Sequence, residues 1–250
     1  MLEHVKDDSG YVVRVEDLNL VAVSPEDFNE MARRQRPLGV DGEVLPDFIK
    51  TLSDALAADG IDDAEVYIRG SSAQFFAGTH KEMAYETVDL LRACKEEDGT
   101  RPKGQSRTKV LPEHTAYIER KLSEHWPDAH SRPRRRIFDL YYRLGISRDP
   151  SDVDIEIRSD LIASRIHQHI NDEYPTLPKK EALALVTSAK YGFFDKSDVL
   201  MLFSHLTNWM DQIHRWIHRE ATIACFPKTG YQSPQQSPSC NLDAFRVDVI

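Results

Sequence analysis

The chain lacks any apolar run approaching the ~18 residues that a membrane-spanning helix needs, and Met1 to Asp8 carry no apolar segment of the kind found in signal peptides. The expectation is a cytoplasmic protein with no membrane partner. Cysteine is scarce: Cys94, Cys225 and Cys240 are odd in number and far apart, which argues against a disulfide framework and a cysteine-based zinc site. Positive charge is also short, with 32 Lys and Arg against 41 Asp and Glu and a net charge of −9, which argues against a general nucleic-acid coat. No Gly-x-x-x-x-Gly-Lys loop and no Gly-x-Ser-x-Gly elbow occurs, which disfavours P-loop NTPases and serine hydrolases. Among the ten histidines, His214 and His218 lie one helical turn apart and His167 and His169 two residues apart. Neither pair has a third ligand at a zinc-like spacing.

What is present is an alternating run, Ser151-Asp152-Val153-Asp154-Ile155-Glu156-Ile157-Arg158. Side chains of a strand alternate between its two faces, so Asp152 and Asp154 emerge together while Val153, Ile155 and Ile157 face a core. Two carboxylates on one rigid edge suit a divalent metal. Upstream, Ala64 to Arg69 reads as a buried strand running into Gly70-Ser71-Ser72, after which Ala73-Gln74-Phe75-Phe76 can open a helix. A glycine, two hydroxyls and free backbone N–H groups at a helix start form an anion site, and phosphate is the natural anion.

In this order, the strand ending in Gly-Ser-Ser and the later Asp-x-Asp strand resemble the signature of the DNA polymerase beta-like nucleotidyltransferase superfamily. The resemblance implies an α/β (α+β) fold with a mixed central sheet flanked by helices, and a helical and loop insertion between the two motifs. It implies that Gly70, Ser71 and Ser72 hold the triphosphate of an NTP such as ATP. Asp152, Asp154 and a third carboxylate then bind two Mg2+ ions, or Mn2+. For the third acid Asp248 comes first, Asp243 second and Glu156 third, and Lys190 is a further triphosphate candidate. The implied activity is transfer of an NMP from an NTP to a hydroxyl of RNA, protein, a nucleotide or a small molecule, releasing pyrophosphate. The alternative is a non-catalytic NTP-binding or regulatory protein that keeps the fold. Family members hold the two motifs close together, whereas residues 73 to 151 intervene here.

The rest of the chain is read as one domain, 1–250. In the N-terminal part, 1–60, two short strands, or one strand and its approach, over residues 11–23 precede helices from Ser24 to Gln35 and from about Phe48 to Gly60. An insertion over 79–136 is locally basic; its charges read first as solvating an inserted loop and helix, and secondarily as favouring an anionic acceptor. It holds helices at 81–97 and 112–125 around a polar tract, and residues 134–144 fit a helix or a loop. A helical part, 159–226, contains helices from about Asp160, over 179–191, and one long amphipathic helix from Ser197. Residues 244–250 read as a final strand carrying Asp248.

Overall fold

The computed structural model describes residues 5–78, 81–99, 112–188, 192–229 and 245–247. Its centre is a four-stranded mixed sheet formed by β1 (Glu65–Arg69), β2 (Val153–Arg158), β3 (Ala221–Phe226) and β4 (Phe245–Val247), in the order β3-β2-β1-β4. β1 runs antiparallel to both β2 and β4, and β2 runs parallel to β3. The parallel pair needs a crossover, which residues 159–220 supply.

One sheet face is apolar. Val66 and Ile68 of β1 and Val153, Ile155 and Ile157 of β2 are buried in a first core with three helices: α3 (Leu45–Ala58), α8 (Asp160–Glu173) and α11 (Ser204–Ile217). These helices present Phe48, Leu52 and Leu56, Ile162 and Ile166, and Leu206 and Ile213 at helical spacing. Each such side chain contributes roughly 1.5–3 kcal/mol of burial. Ser159 caps α8 by accepting from the Ile162 N–H at 3.0 Å, and Asp63 holds the same turn through Asp160 N–H at 2.7 Å.

A second core lies at the Gly70 end of the sheet. It joins α1 (Val15–Val21), α2 (Pro25–Ala32), α5 (Thr87–Gly99), α6 (Pro112–His125) and the short α7 (Leu140–Arg143) around Phe28, Phe75, Leu90, Ile118 and Leu140. The helix α1 replaces one of the two strands read over residues 11–23. Buried Asp17 decides it: its carboxylate accepts from the Arg14 N–H at 2.8 Å and the Tyr11 hydroxyl at 2.6 Å and meets His125 Nε2 at 2.8 Å. Those bonds fix a helical start at Val15.

Further differences have local causes. Helix α5 starts at Thr87, not Lys81, because the chain before it is held in extended bridges, Phe76 with Ile137 and Glu82 with Arg135. The single long helix from Ser197 is two, α10 (Lys196–Leu202) and α11, divided at Phe203. There Thr207 Oγ bonds back to the Leu200 carbonyl, and Asp59 receives the Leu206 N–H of the new helix start. The helix read over 179–191 is α9 (Lys179–Leu185), which ends at Leu185. The helical part read over 159–226 ends in β3. No described helix is long and apolar enough to cross a membrane.

Candidate active site

The Gly-Ser-Ser turn and the Asp-x-Asp strand meet where the two cores join. Arg69 pairs with Asp154 in the β1–β2 register, so the residue after β1 is carried directly onto the acids. Gly70 has φ +69°, and a Cβ there would lie 2.5 Å from Asp154 Oδ2. Only glycine fits, both for the left-handed backbone and for the space. The one-turn helix α4 (Ser71–Gln74) follows. Ser72 is fully buried and its hydroxyl donates to the Asp152 carbonyl at 3.0 Å. That hydroxyl ties one motif to the other, leaving half-buried Ser71 as the side chain available to a ligand.

Asp152 is held from behind. Asp139, 2% exposed and at φ +58°, accepts from the Ser151 N–H at 2.8 Å, and Ser151 Oγ accepts from the Asp139 N–H at 2.9 Å. Arg219, just before β3, grips both Asp139 oxygens at 2.7 Å and donates to the Ser151 carbonyl at 3.0 Å. Gly39 makes room for that guanidinium, because a Cβ there would stand 2.6 Å from Arg219 Nε. The bracket joins the end of the insertion to the start of β3 and fixes the residue before Asp152.

The pair itself is electrostatically strained. Burial, and then the neighbouring Asp152 charge, push the Asp154 carboxyl up to about 6 against a hydrogen bond from Thr222 Oγ1 at 2.7 Å and the pull of Lys81. Lys81 stands on the segment leading away from α4. Its N–H donates to the Gly78 carbonyl at 2.9 Å and its carbonyl accepts from the Arg136 N–H at 3.2 Å. A cation between the two carboxylates would relieve their repulsion, so these residues fit one divalent ion.

No group of three or more His, Cys, Asp and Glu that could hold a metal occurs among the described residues. Glu156, the third choice for the missing acid, is engaged by Arg69 at 2.9 Å and Arg158 at 2.6 Å. The neighbour of Asp154 on β3 is Thr222. Asp248, Asp243 and Lys190 lie outside the described residues. The described part of β4 borders β1 on the side away from β2, and aligns Phe245 with Ile68 and Val247 with Val66.

Of the basic residues read in the insertion, Arg101, Lys103, Arg107 and Lys109 lie outside the described residues, Arg120 is exposed beside Glu124, and the arginines from Arg132 onward are engaged within the fold. Arg135 is buried against Asp8, Arg134 pairs with Glu82 at 2.8 Å, and Arg132 and Arg136 stack on Tyr85 and Tyr141. Lys81, Thr222 and the Asp139–Arg219 bracket went unnoticed in the sequence. Their only local signal is the nearness of Lys81 to the Gly-Ser-Ser turn. No protein-family model matches the chain, and no curated protein or solved structure matches it either.

Proposed function

We propose that the protein is a metal-dependent nucleotidyltransferase of the DNA polymerase beta-like type, moving an NMP from an NTP to an acceptor hydroxyl. The observation that carries this reading is the contact of Gly70 with Asp154 and of Ser72 with Asp152, which brings the Gly-Ser-Ser turn and the carboxylate pair together. In this reading the backbone around Gly70 and the Ser71 hydroxyl receive the triphosphate, and Lys81 offsets its charge. The Asp139–Arg219 bracket and Ser72 hold Asp152 in place, so the catalytic groups need no rearrangement during reaction.

A divalent cation such as Mg2+, held by Asp152 and Asp154, would neutralise charge on the phosphates and lower the acceptor hydroxyl's hold on its proton. A second ion would need a further acid, for which Asp243 and Asp248 remain the sequence candidates. In the transfer, the acceptor oxygen forms a bond to the α-phosphorus and the bond from that phosphorus to the bridging oxygen breaks. Pyrophosphate departs with the electron pair, and the hydroxyl proton passes to solvent.

One observation favours a second reading, a non-catalytic NTP-binding protein: Thr222, not an acid, stands beside Asp154 on β3. Incubation with each α-labelled NTP, Mg2+ and cell extract separates the two. Transfer predicts labelled product that vanishes in Asp152→Ala, whereas NTP binding without label incorporation supports the second reading and defeats the first.

A further inference from the structure

The connection between α2 and α3 crosses from one core to the other beside the acids. Leu38 is buried in the second core and Val40 in the first, so Gly39 stands on the seam between them. Arg36 ties this connection to α2, bonding Glu30 at 2.6 Å and the Val40 carbonyl at 3.4 Å. From the seam, the Leu38 N–H donates to the Ser72 carbonyl at 2.7 Å. Gly39, at φ +83°, lies against the Arg219 guanidinium, where a Cβ would meet Nε at 2.6 Å, Cδ at 2.9 Å and Cζ at 3.0 Å. These contacts close a ring around the site. Leu38 holds the Ser72 carbonyl, the Ser72 hydroxyl holds the Asp152 carbonyl, Arg219 holds the Ser151 carbonyl, and Gly39 backs Arg219.

We infer that the Leu38–Gly39 peptide is a positioning element of the candidate active site, setting the Gly-Ser-Ser turn and the Arg219 bracket at one spacing so that Asp152 is presented to the metal. It acts through Ser72 and Arg219. The inference deepens the metal-dependent transfer reading and rests on it for what the acids hold. Arg219 has little freedom to yield: its side chain is 14% exposed, its guanidinium carbon lies 4.8 Å from the centre of the Phe138 ring, and it gives bonds of 2.7, 2.7 and 3.0 Å to Asp139 and Ser151. A side chain at position 39 must therefore lever the guanidinium off those oxygens or push Leu38 away from Ser72. Either movement shifts the residue before Asp152 relative to the turn, and misplacement of a catalytic group by about 1 Å is enough to cost much of its effect.

The test is titration of Mn2+ into the full chain, with the free ion counted by electron paramagnetic resonance, alongside the thermal midpoint. Two other glycines separate the possible effects of Gly39→Ala. Gly10 has φ +87° and nothing within 4 Å of an added Cβ, so Gly10→Ala brings backbone strain without a clash. Gly42 lies in the same connection but outside the left-handed region, and its added Cβ meets Arg36 Cδ at an ordinary 3.5 Å. Gly39→Asn tolerates positive φ better than alanine yet still carries a Cβ, so it guards against a Gly39→Ala protein that fails to fold. The expected result is Mn2+ affinity weakened about fivefold or more in Gly39→Ala and Gly39→Asn, with the asparagine variant keeping the higher midpoint. Gly10→Ala and Gly42→Ala stay within twofold of the parent. Arg219→Ala weakens Mn2+ binding to a similar extent, and adding Gly39→Ala to it costs less than a further twofold.

Unchanged Mn2+ affinity in both Gly39 variants, an equal loss in Gly42→Ala, or a full further loss when Gly39→Ala is added to Arg219→Ala overturns the inference. Nucleotidyl transfer survives each of these results if the parent still incorporates label that Asp152→Ala abolishes. A parent that takes up no Mn2+ overturns the inference as well. The coupled losses in a protein that incorporates no label uphold the positioning role and defeat the transfer reading.

Discussion

The Ser72 hydroxyl donates to the Asp152 carbonyl at 3.0 Å across 80 residues of sequence. A bond between two turns so distant along the chain makes the acid pair and the Gly-Ser-Ser turn one mechanical unit, and disturbance of either should be felt by both.

Gly70→Ala tests that unit. The new methyl meets Asp154 Oδ2 and must adopt φ +69°, which costs on the order of 1 kcal/mol before the clash is counted. We expect a lower thermal midpoint and at least tenfold weaker NTP binding. In an Asp154→Ala background the stability cost of Gly70→Ala should shrink, because part of it is the clash with that carboxylate. Equal costs in the two backgrounds would show that the residues do not touch.

Arg219→Ala removes the partner of a carboxylate that is 2% exposed. Breaking a buried pair from one side costs about 3–5 kcal/mol, so thermal and urea denaturation should show a fall in midpoint of about 10 °C. Arg219→Lys should recover only part, since an ammonium cannot grip both Asp139 oxygens and the Ser151 carbonyl in the same plane.

The acid pair gives a pH dependence with a defined sign. Burial and the Asp152 charge raise the folded-state Asp154 carboxyl to about 6, above its ordinary value near 3.8. The folded protein therefore binds more protons than the unfolded chain between those values, and stability falls as pH rises from about 4 to about 6. The deficit then persists at higher pH. Without divalent metal, Asp154→Asn should raise the thermal midpoint at pH 8 and leave it nearly unchanged at pH 4. Mg2+ should raise the parent midpoint at pH 8 and not that of the variant. An identical pH profile for parent and variant contradicts the strained pair.

Lys81 bears on the ligand, not the fold. Its side chain acts on Asp154 through space, and Lys81→Ala should shift the thermal midpoint by no more than a degree or two. Isothermal titration should nonetheless show NTP binding weakened about tenfold. Unaltered NTP affinity would remove Lys81 from the site.

Much of this architecture could be read from periodicity and capping. The β1 strand, α2, α3, α6, α8 and the Asp-x-Asp strand follow from alternation, from Ser24 and Ser159 as caps, and from apolar residues at helical spacing. What escaped reading depends on distant partners. Residues 221–226 carry no charged alternation and follow a helical stripe, so only pairing with β2 reveals them as a strand. Asp17 makes a helix of a β-like stretch through bonds to Tyr11, Arg14 and His125. Within the site, the acids and the glycine were legible because their chemistry is local. Lys81, Thr222 and Arg219 were not, since each reaches the acids only through the tertiary fold.

The most direct test of the central claim is a crystal structure grown with Mn2+ and a non-hydrolysable NTP, with the metal located by its anomalous scattering. The account predicts Mn2+ on the carboxylates of Asp152 and Asp154 with the triphosphate against Gly70, Ser71 and Lys81. Nucleotide bound elsewhere on the protein, with no metal at the two acids, would contradict it.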